Sequence, residues 1–236
     1  MNVLEVDDVY RSFGGIRAVN GVSLRVGRQE ILGLIGPNGS GKTTLFNLLT
    51  GVYPPERGRV VFRGQDVTGW KPHRIARRGL GRTFQIPALF GNMTVHDNLL
   101  TAAVEADWRQ APRRARAVLR FLRLEHVRDA AADSLSGGQQ KLLELGRVLM
   151  RDPALILLDE VTAGVQPDLR AVILGAVREL RDGGKTFLVI EHDMELVRGI
   201  CDRVVVMDAG EVVATGSFAS IARDARVMEA YLGRRA

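Results

Sequence analysis

The chain has 236 residues, of which 46% are hydrophobic and 25% charged, proportions typical of a folded globular protein. Its 33 basic and 27 acidic residues give a formal net charge of +6. This composition excludes a disordered, collagen-like or disulfide-stapled chain. The single cysteine, Cys201, permits no internal disulfide and indicates a reducing compartment.

Strand-like and helix-like segments alternate along most of the sequence, which favours an α/β fold with a largely parallel sheet. The predicted strands are 3–9, 18–26, 30–35, 60–62, 154–158, 186–190, 203–207 and 212–214, with a hairpin turn at 208–211. The predicted helices are 43–51, 139–151, 169–182 and 194–201. The longest apolar strand is far shorter than the roughly 20 residues that cross a bilayer, and the first eight residues do not resemble a secretion signal. We therefore expect a chain that does not itself cross a membrane.

Between residues 92 and 133 the strand pattern disappears and a helical insertion is predicted. Thr94 begins one helix, and apolar residues from Ala115 to Leu122 recur at helical spacing. Seven arginines but one acidic residue lie between 109 and 128. Such a run is typical of a solvated helix face, and nucleic-acid binding is the alternative.

A glycine-rich segment at residues 36–43 carries the strongest chemical signal. It has a glycine, four residues and then Gly-Lys-Thr, which is a phosphate-binding pattern. Its glycines let successive N–H groups face an anion, and the following helix adds the positive end of its dipole. Lys42 is expected at the outer phosphates and Thr43 at a Mg²⁺ ion. The predicted nucleotide-binding residues here are Gly36, Pro37, Asn38, Gly39, Ser40, Gly41, Lys42, Thr43 and Thr44.

Two further motifs have a structural alternative. Asp159 and Glu160 follow a buried strand, where Asp159 would hold Mg²⁺ and Glu160 would polarise a water molecule. A charged turn after a buried strand is the alternative, and the upstream phosphate loop favours the functional reading. The segment 135–139, Leu-Ser-Gly-Gly-Gln, opens a helix that is either a second anion site or simply capped by Ser136. The residues alone leave both possibilities open.

In order and approximate spacing, these motifs resemble those of ABC-transporter ATPase subunits over essentially the whole chain. The resemblance implies a P-loop NTPase (RecA-like) core with a mostly parallel sheet, an N-terminal antiparallel β subdomain and an inserted α-helical subdomain. It implies one domain over 1–236, with the core and β subdomain at 1–90 and 152–236. The helical subdomain, which carries the signature motif, would be 91–151.

The resemblance also assigns roles to single residues. His192 is similar to the switch histidine, Gln85 to the sensor glutamine, and Phe13 to the aromatic residue that stacks on adenine, with Tyr10 as its competitor. On position alone the alternatives are a capping residue for His192, a loop amide for Gln85 and an ordinary packing residue for Phe13. The implied catalytic residues are Glu160, His192 and Gln85, and the implied metal ligands are Thr43, Gln85 and Asp159. Ser136, Gly137, Gly138 and Gln139 would bind the nucleotide held by the partner subunit.

Two positions depart from the family pattern. Val161 stands where the family usually has proline, so the turn there is less constrained. The segment 163–168 is similar to the loop that crosses to the partner, and Gln166 stands there in place of an aspartate. We expect activity to survive the change at Val161, and the polar contact at Gln166 to persist without the charge.

The resemblance implies ATP and Mg²⁺ as cofactors and a head-to-tail homo- or heterodimer with a second ABC ATPase. It also implies integral membrane permease subunits as partners, an indirect role for a periplasmic or extracellular substrate-binding protein, and a place on the cytoplasmic face of the membrane. The apolar stretch 86–93 is expected to help form the permease groove, with core packing as the alternative. No nucleic-acid partner is expected.

Segments 13–15, 79–85, 163–164, 191–194 and 227–233 are similar to those of importers of branched-chain amino acids and related amides. The helical insertion is shorter than in many of them. Urea importers and the lipopolysaccharide-export ATPase remain alternatives, as does a soluble ABC ATPase that acts on nucleic acid. Glu160 and His192 argue against a regulator that binds ATP without turnover.

Overall fold

The computed structural model describes residues 1–103 and 108–232. Within them the strands are β1 Asn2–Phe13, β2 Ile16–Gly27, β3 Ile31–Ile35, β4 Arg57–Phe62, β5 Gln65–Asp66, β6 Leu80–Arg82, β7 Leu155–Asp159, β8 Thr186–Ile190, β9 Arg203–Asp208 and β10 Glu211–Gly216. The α-helices are α1 Lys42–Leu49, α2 Pro72–Arg77, α3 Val95–Thr101, α4 Ala111–Phe121, α5 Gly137–Leu149, α6 Pro167–Asp182, α7 Met194–Ile200, α8 Phe218–Ile221 and α9 Ala225–Leu232. None of these helices is long and apolar enough to cross a membrane.

The N-terminal sheet is antiparallel, with strand order β2-β1-β4-β5. Its long hairpin turns at Gly14 and Gly15, whose φ angles are 50° and 89° and therefore suit glycine. The strands extend beyond the predicted segments 3–9 and 18–26. Residues near the turn are exposed on both strands, so the apolar alternation that marks a strand fades before the pairing ends.

The second sheet has the order β10-β9-β3-β8-β7-β6, and all neighbouring pairs except β10 with β9 are parallel. Every residue of β3, β7 and β8 is buried, as expected for central strands covered on both faces. Their carboxyl ends lie side by side at one edge, where Asp159 pairs with Ile190. This edge therefore brings together the segments that follow β3, β7 and β8.

In the described part of the predicted helical subdomain, 91–151, the α-helices are α3, α4 and α5. Thr94 accepts a hydrogen bond from the Asp97 N–H at the start of α3, as the sequence predicts. Ala115, Val118 and Leu119 of α4 are buried against neighbouring helices. Residues 104–107 of this region lie outside the described residues. The division of the chain at 90/91 and 151/152 remains a prediction.

Several short elements escape the sequence patterns, namely α2, α8, α9, β5 and β6. β6 pairs in parallel with β7 and places Arg82 opposite Leu157. Its central residue, Gly81, has no room for a side chain, because a Cβ there would lie 2.5 Å from Val148 Cγ1. A strand this short, with glycine at its centre, lacks both the length and the apolar alternation of a predictable strand.

Candidate nucleotide-binding and hydrolysis site

The glycine-rich loop joins β3 to α1 and is packed tightly on its inner side. A Cβ on Gly36 would lie 2.0 Å from the Met207 carbonyl oxygen, and one on Gly41 would lie 2.1 Å from the Ala18 carbonyl oxygen. Both glycines also have positive φ angles, 149° and 100°. Only glycine satisfies this geometry. On the outer side, a Cβ on Gly39 would meet nothing within 4 Å, so the loop faces open space there.

Lys42 lies beneath this loop with 6% of its surface exposed. Its ammonium donates hydrogen bonds to the carbonyl oxygens of Gly36 and Pro37, both at 2.8 Å, and to Ser40 Oγ at 3.2 Å. Burial lowers the pKa of Lys42, whereas the charges of Glu160 and Asp159 oppose that shift. The amine is thus held between the loop and the carboxylates that follow β7.

Of the other predicted loop residues, Asn38, Gly39 and Thr43 are exposed, whereas Pro37 and Thr44 are half-buried. Ser40 is buried. The exposed residues and the first turn of α1 surround the open side of the loop, where a helix N-terminus leaves N–H groups free of helical partners. This open cradle with one fixed cation fits the phosphate groups of a nucleotide.

Asp159 ends β7 and forms a buried ion pair with Arg82. The distance between Asp159 Oδ2 and Arg82 Nη2 is 3.0 Å, and the side chains are 4% and 7% exposed. Burial raises the pKa of Asp159, and the hydrogen bond from Arg82 opposes the rise. Arg82 also donates to Asn47 Oδ1 of α1 at 2.6 Å. Arg82 therefore ties the predicted magnesium ligand to the helix of the phosphate loop.

Glu160 follows with a left-handed backbone, φ 50°, held by its N–H bond to the Ile190 carbonyl oxygen at 3.0 Å. Its carboxylate joins two side chains that the sequence places far away. Gln85 Nε2 donates to Oε2 at 2.9 Å, and His192 Nε2 lies 2.6 Å from Oε1. The structure thus brings two predicted catalytic residues, Gln85 and His192, to the carboxylate of the third, Glu160. They meet at the strand edge beside the phosphate loop.

The predicted magnesium ligands are less closely grouped. Gln85 bonds Glu160, Asp159 bonds Arg82, and Thr43 is exposed at the start of α1. In the described part of the chain, no three His, Cys, Asp or Glu side chains form a metal cluster. A hydroxyl, an amide and one carboxylate are still oxygen donors of the kind that Mg²⁺ prefers. The three side chains therefore fit magnesium by the chemistry of their oxygen donors. For Asp159 to bind the ion, its carboxylate would have to leave Arg82 or contact both.

Ser136 caps α5. Its hydroxyl accepts from the Gln139 N–H at 3.4 Å, and Gln139 Oε1 accepts from the Ser136 N–H at 3.0 Å. Gly138 packs closely, since a Cβ there would lie 2.8 Å from Leu169 Cδ1, whereas Gly137 is exposed and faces open space. The structure thus shows that Ser136 caps α5. Nucleotide binding by this segment remains a prediction.

Phe13 stands at the hairpin tip with 39% of its surface exposed. Its ring meets that of Tyr53 edge-on at 5.2 Å, and the Arg11 guanidinium lies 4.9 Å from its centre. Tyr10, its competitor for the adenine, lies instead under the Arg57 guanidinium at 5.4 Å. The geometry favours Phe13 for stacking, because its position at the tip leaves part of the ring uncovered.

Sequence reasoning also missed a buried carboxylate, Glu191. It is 3% exposed and accepts hydrogen bonds from the Thr162 N–H at 3.2 Å and the Thr162 hydroxyl at 2.9 Å. Burial raises its pKa. These bonds tie the turn after β7 to the end of β8, and so fix the backbone on both sides of the Glu160–His192 contact. Its position directly before His192 was the one available signal.

The family model described as "ABC transporter" matches residues 19–163. The chain belongs to the ABC transporter ATPase family. It is an ATP-binding subunit that hydrolyses ATP, and its fold is that of an ABC ATPase, as the sequence predicts. A second family model, described as "Branched-chain amino acid ATP-binding cassette transporter", matches residues 211–236.

Individual members of this family resemble the chain along nearly its whole length. The high-affinity branched-chain amino acid transport ATP-binding protein LivG of Escherichia coli is 40% identical, over 98% of both chains. The lipopolysaccharide export system ATP-binding protein LptB of Haemophilus influenzae is 33% identical, over 100% of this chain and 99% of that protein. A solved nucleotide-free ATP-binding cassette from an ABC transporter is 36% identical with a TM-score of 0.92, over 99% of this chain and 100% of that chain.

The two positions that depart from the pattern of this ABC ATPase family are accommodated without disruption. Val161 is 6% exposed and packs in the core of buried helices and strands. Gln166 precedes α6 as its N-cap residue, is exposed, and makes no side-chain capping bond. The exposed amide is therefore available to a partner, although it lacks the charge of an aspartate.

Proposed function

We propose that this ABC ATPase drives an importer of branched-chain amino acids from the cytoplasmic face of the membrane. The observation that carries the substrate class is the match of residues 211–236 to the branched-chain amino acid family, together with the 40% identical LivG. The predicted C-terminal similarity, 227–233, falls within that match, and Gly233 lies outside the described residues. The cargo itself would be bound by the permease and by a periplasmic or extracellular binding protein.

We propose that Glu160 is the general base of ATP hydrolysis. Its carboxylate would take a proton from the attacking water, while Gln85 and His192 hold its two oxygens in place. Lys42 binds the outer phosphates from beneath the loop, and Thr43, Gln85 and Asp159 provide oxygen ligands for Mg²⁺. When bound, the metal ion neutralises charge on the phosphate oxygens.

Two chains would complete each site. The phosphate loop is open on its outer side, and the exposed Ser136–Gly137 end of α5 is a separate surface on the same chain. A head-to-tail pair, of identical or different ATPases, would place that end of one chain over the loop of the other. Separation of the pair after hydrolysis would then move the attached permease subunits.

The permease is proposed to dock in a groove of about 340 Å³ between β6, α3 and α5. Ala76, Phe84, Ala88 and Ala102 are among the residues that line the groove. At its edge the predicted apolar stretch divides into two parts, because Ile86 is 83% exposed while Leu89 packs against the helical core. Exposed Ile86 supports a docking role, and core packing accounts for Leu89.

Transport in proteoliposomes tests this proposal. The chain would be co-purified with its permease subunits, and ATP-driven uptake of leucine, urea and an unrelated amino acid would be compared. Leucine uptake that stops in Glu160→Gln supports the proposal. Urea uptake alone would assign the related amide class, and failure to co-purify with any permease would overturn it.

Ala76→Trp tests the groove, since a large ring there would block a docked helix. Ala219→Trp, on the exposed face of α8, is the matched control. We expect the first change to weaken co-purification with the permease and the second to leave it unchanged. Equal co-purification of both variants would contradict the groove assignment.

Lipopolysaccharide export is the second candidate, because LptB is 33% identical over the whole chain. ATP-dependent release of lipopolysaccharide from proteoliposomes, without leucine uptake, would favour it. The exposed arginines of α4 are the feature that nucleic-acid binding would use. Binding there would weaken steeply as salt rises, and we expect no such binding.

A further inference from the structure

Helix α5 contacts the backbone on both sides of the Gln85–Glu160 hydrogen bond. On one side, Glu144 Oε2 accepts from the Phe84 N–H and Oε1 accepts from the Ala88 N–H, both at 3.2 Å. These two amides flank Gln85 in the chain. One buried carboxyl group, 5% exposed, therefore fixes the short segment that carries the glutamine.

On the other side, Lys141 holds the turn that carries Glu160. Its ammonium donates to the Glu160 carbonyl oxygen at 2.7 Å and to the Ala163 carbonyl oxygen at 2.8 Å. Lys141 and Glu144 are three residues apart and so lie on one face of α5. A single helix thus sets the position of both partners in the Gln85–Glu160 bond.

A third residue of α5, Arg147, fixes the same segment from the next turn. It donates to the Ala88 carbonyl oxygen, and its guanidinium lies 5.1 Å from the centre of the Phe90 ring. Ala88 is therefore held by both its N–H and its carbonyl group. This attachment orients the segment after Gln85 relative to α5 and not merely to the nearby strands.

The residue type at position 144 has a reason in this geometry. A carboxylate offers two acceptor oxygens, whereas an amide offers one and would set an NH₂ group against the second N–H. An apolar side chain would leave both N–H groups unpaired, at a cost in free energy. Burial raises the pKa of Glu144 to about 7, and the two N–H donors oppose the shift. The two N–H donors therefore explain why a carboxyl group occupies a buried position at which packing alone would favour leucine.

We propose that Glu144 is a positioning residue for hydrolysis, whose two hydrogen bonds to the Phe84 and Ala88 amides set Gln85 against Glu160. Glu144, Phe84 and Ala88 also line the groove described above. A helix seated in that groove therefore acts on Gln85 through these bonds. The inference rests on the proposed roles of Gln85 and Glu160.

The test compares the full-length wild type with Glu144→Gln, Glu144→Ala and a control, Glu179→Gln, which changes an exposed glutamate of α6. Steady-state kinetics would give kcat and KM for ATP, and hydrogen exchange would report the Phe84 and Ala88 amides. We expect kcat to fall at least tenfold in Glu144→Ala with KM within about twofold of wild type. Glu144→Gln, which keeps one acceptor and the side-chain shape, should lie between, and Glu179→Gln should match wild type.

A double-mutant cycle separates positioning from general loss of stability. Once Glu160→Gln has removed the base, adding Glu144→Ala should slow single-turnover hydrolysis by less than twofold, because residues that act together are not additive. The inference would be overturned if Glu144→Ala slowed hydrolysis by the same factor in the Glu160→Gln background as in wild type. The inference would also be overturned if Glu144→Ala kept the wild-type kcat although its Phe84 and Ala88 amides exchanged hydrogen faster than in wild type.

The proposed function fails in a different way. The assignment of Glu160 as the general base is wrong if Glu160→Gln retains the wild-type rate of hydrolysis. If Glu160→Gln is inactive but the two Glu144 variants keep the wild-type kcat, then the base assignment stands and the positioning role is wrong. Glu144→Gln preserves the shape of the side chain, so the experiment remains decisive if Glu144→Ala does not fold.

Discussion

Arg82 and Asp159 form a buried ion pair that joins strand β6 to the end of strand β7, with 3.0 Å between Nη2 and Oδ2. The same guanidinium donates to Asn47 of α1. The position of the predicted magnesium ligand relative to the phosphate-loop helix therefore depends on one arginine. Conversion of Arg82 to alanine would leave the carboxylate buried without its cation.

We expect Arg82→Ala to lower the free energy of unfolding by about 3–5 kcal/mol at neutral pH, the usual cost of breaking a buried pair from one side. Urea unfolding followed by circular dichroism measures the change. The matched control, Arg113→Ala, alters an exposed arginine of α4 and should change stability by less than about 0.5 kcal/mol. Similar losses in both variants would contradict the role given to the pair.

Lys42→Ala should sharply weaken ATP binding, because the phosphates lose the Lys42 ammonium held beneath the loop. Isothermal titration calorimetry with ATP and magnesium measures the affinity. Lys71→Ala, which removes an exposed lysine before α2, serves as the control and should bind as wild type does. Unchanged affinity in Lys42→Ala would remove the basis of the site assignment.

Glu160→Gln should preserve ATP binding and slow hydrolysis by about 10²–10⁴-fold, because the amide cannot accept the proton of the attacking water. The nucleotide then persists between two chains, so size-exclusion chromatography with ATP should show a dimer. Glu125→Gln, at an exposed glutamate of the helical region, should hydrolyse normally and elute without this shift. Rapid hydrolysis by the Glu160 variant would move the role of base to another residue.

Mixing two inactive variants tests the shared site. Ser136→Arg blocks the partner's nucleotide, whereas Lys42→Ala disables a chain's own loop, so a mixed dimer retains one intact site. We expect each mixed dimer, but not the dimers of a single variant, to regain about half the wild-type ATPase rate. A mixture as inactive as either variant would indicate that the two chains do not share nucleotide sites.

The stability of the wild type should fall as pH rises from about 4.5 to 7, in part because of Glu144. Burial raises its pKa from 4.5 to about 7, so the folded state binds the proton more tightly than the unfolded state does. Lys141 and Arg147 of α5 and Arg82 of β6 are the charged groups that face it. The Glu144 contribution, about 3 kcal/mol, is complete below the ordinary pKa and is lost above about 7.

Glu144→Gln removes this titration. Its free energy of unfolding, measured by urea at pH 5 to 8, should therefore fall less with pH than that of wild type, whereas Glu179→Gln should follow wild type. Parallel curves for wild type and Glu144→Gln would show that the carboxyl group titrates normally in the folded protein.

The residues alone predicted Glu160, which follows a buried strand downstream of a phosphate loop, whereas the roles of His192 and Gln85 were implied by the resemblance to ABC ATPases. Glu160 directly follows β7 and His192 lies two residues after β8, and the carboxyl ends of neighbouring parallel strands meet at one edge. The phosphate loop follows β3 in the same way. Sheet topology therefore accounts for the meeting of the phosphate loop, Glu160 and His192 at one edge, whereas Gln85 follows β6, a strand that the sequence patterns do not predict.

The supporting residues were not predictable in this way. Arg82 and Asp159 lie 77 positions apart, and Glu144 lies 60 positions from Phe84. Nothing in the sequence near Glu144 distinguishes it from a surface glutamate of an amphipathic helix, and only the packing of α5 reveals that it is buried. Partners joined across such distances are set by tertiary structure and leave no local pattern.

The left-handed backbone of Glu160, φ 50°, has a cost that is independent of chemistry. A side chain with a Cβ prefers other conformations, so this turn holds strain of about 1 kcal/mol or more. Glycine at this position would relax the turn and yield a sturdier but inert protein. The chain thus retains thermodynamic stress at the residue that we propose as the base of hydrolysis.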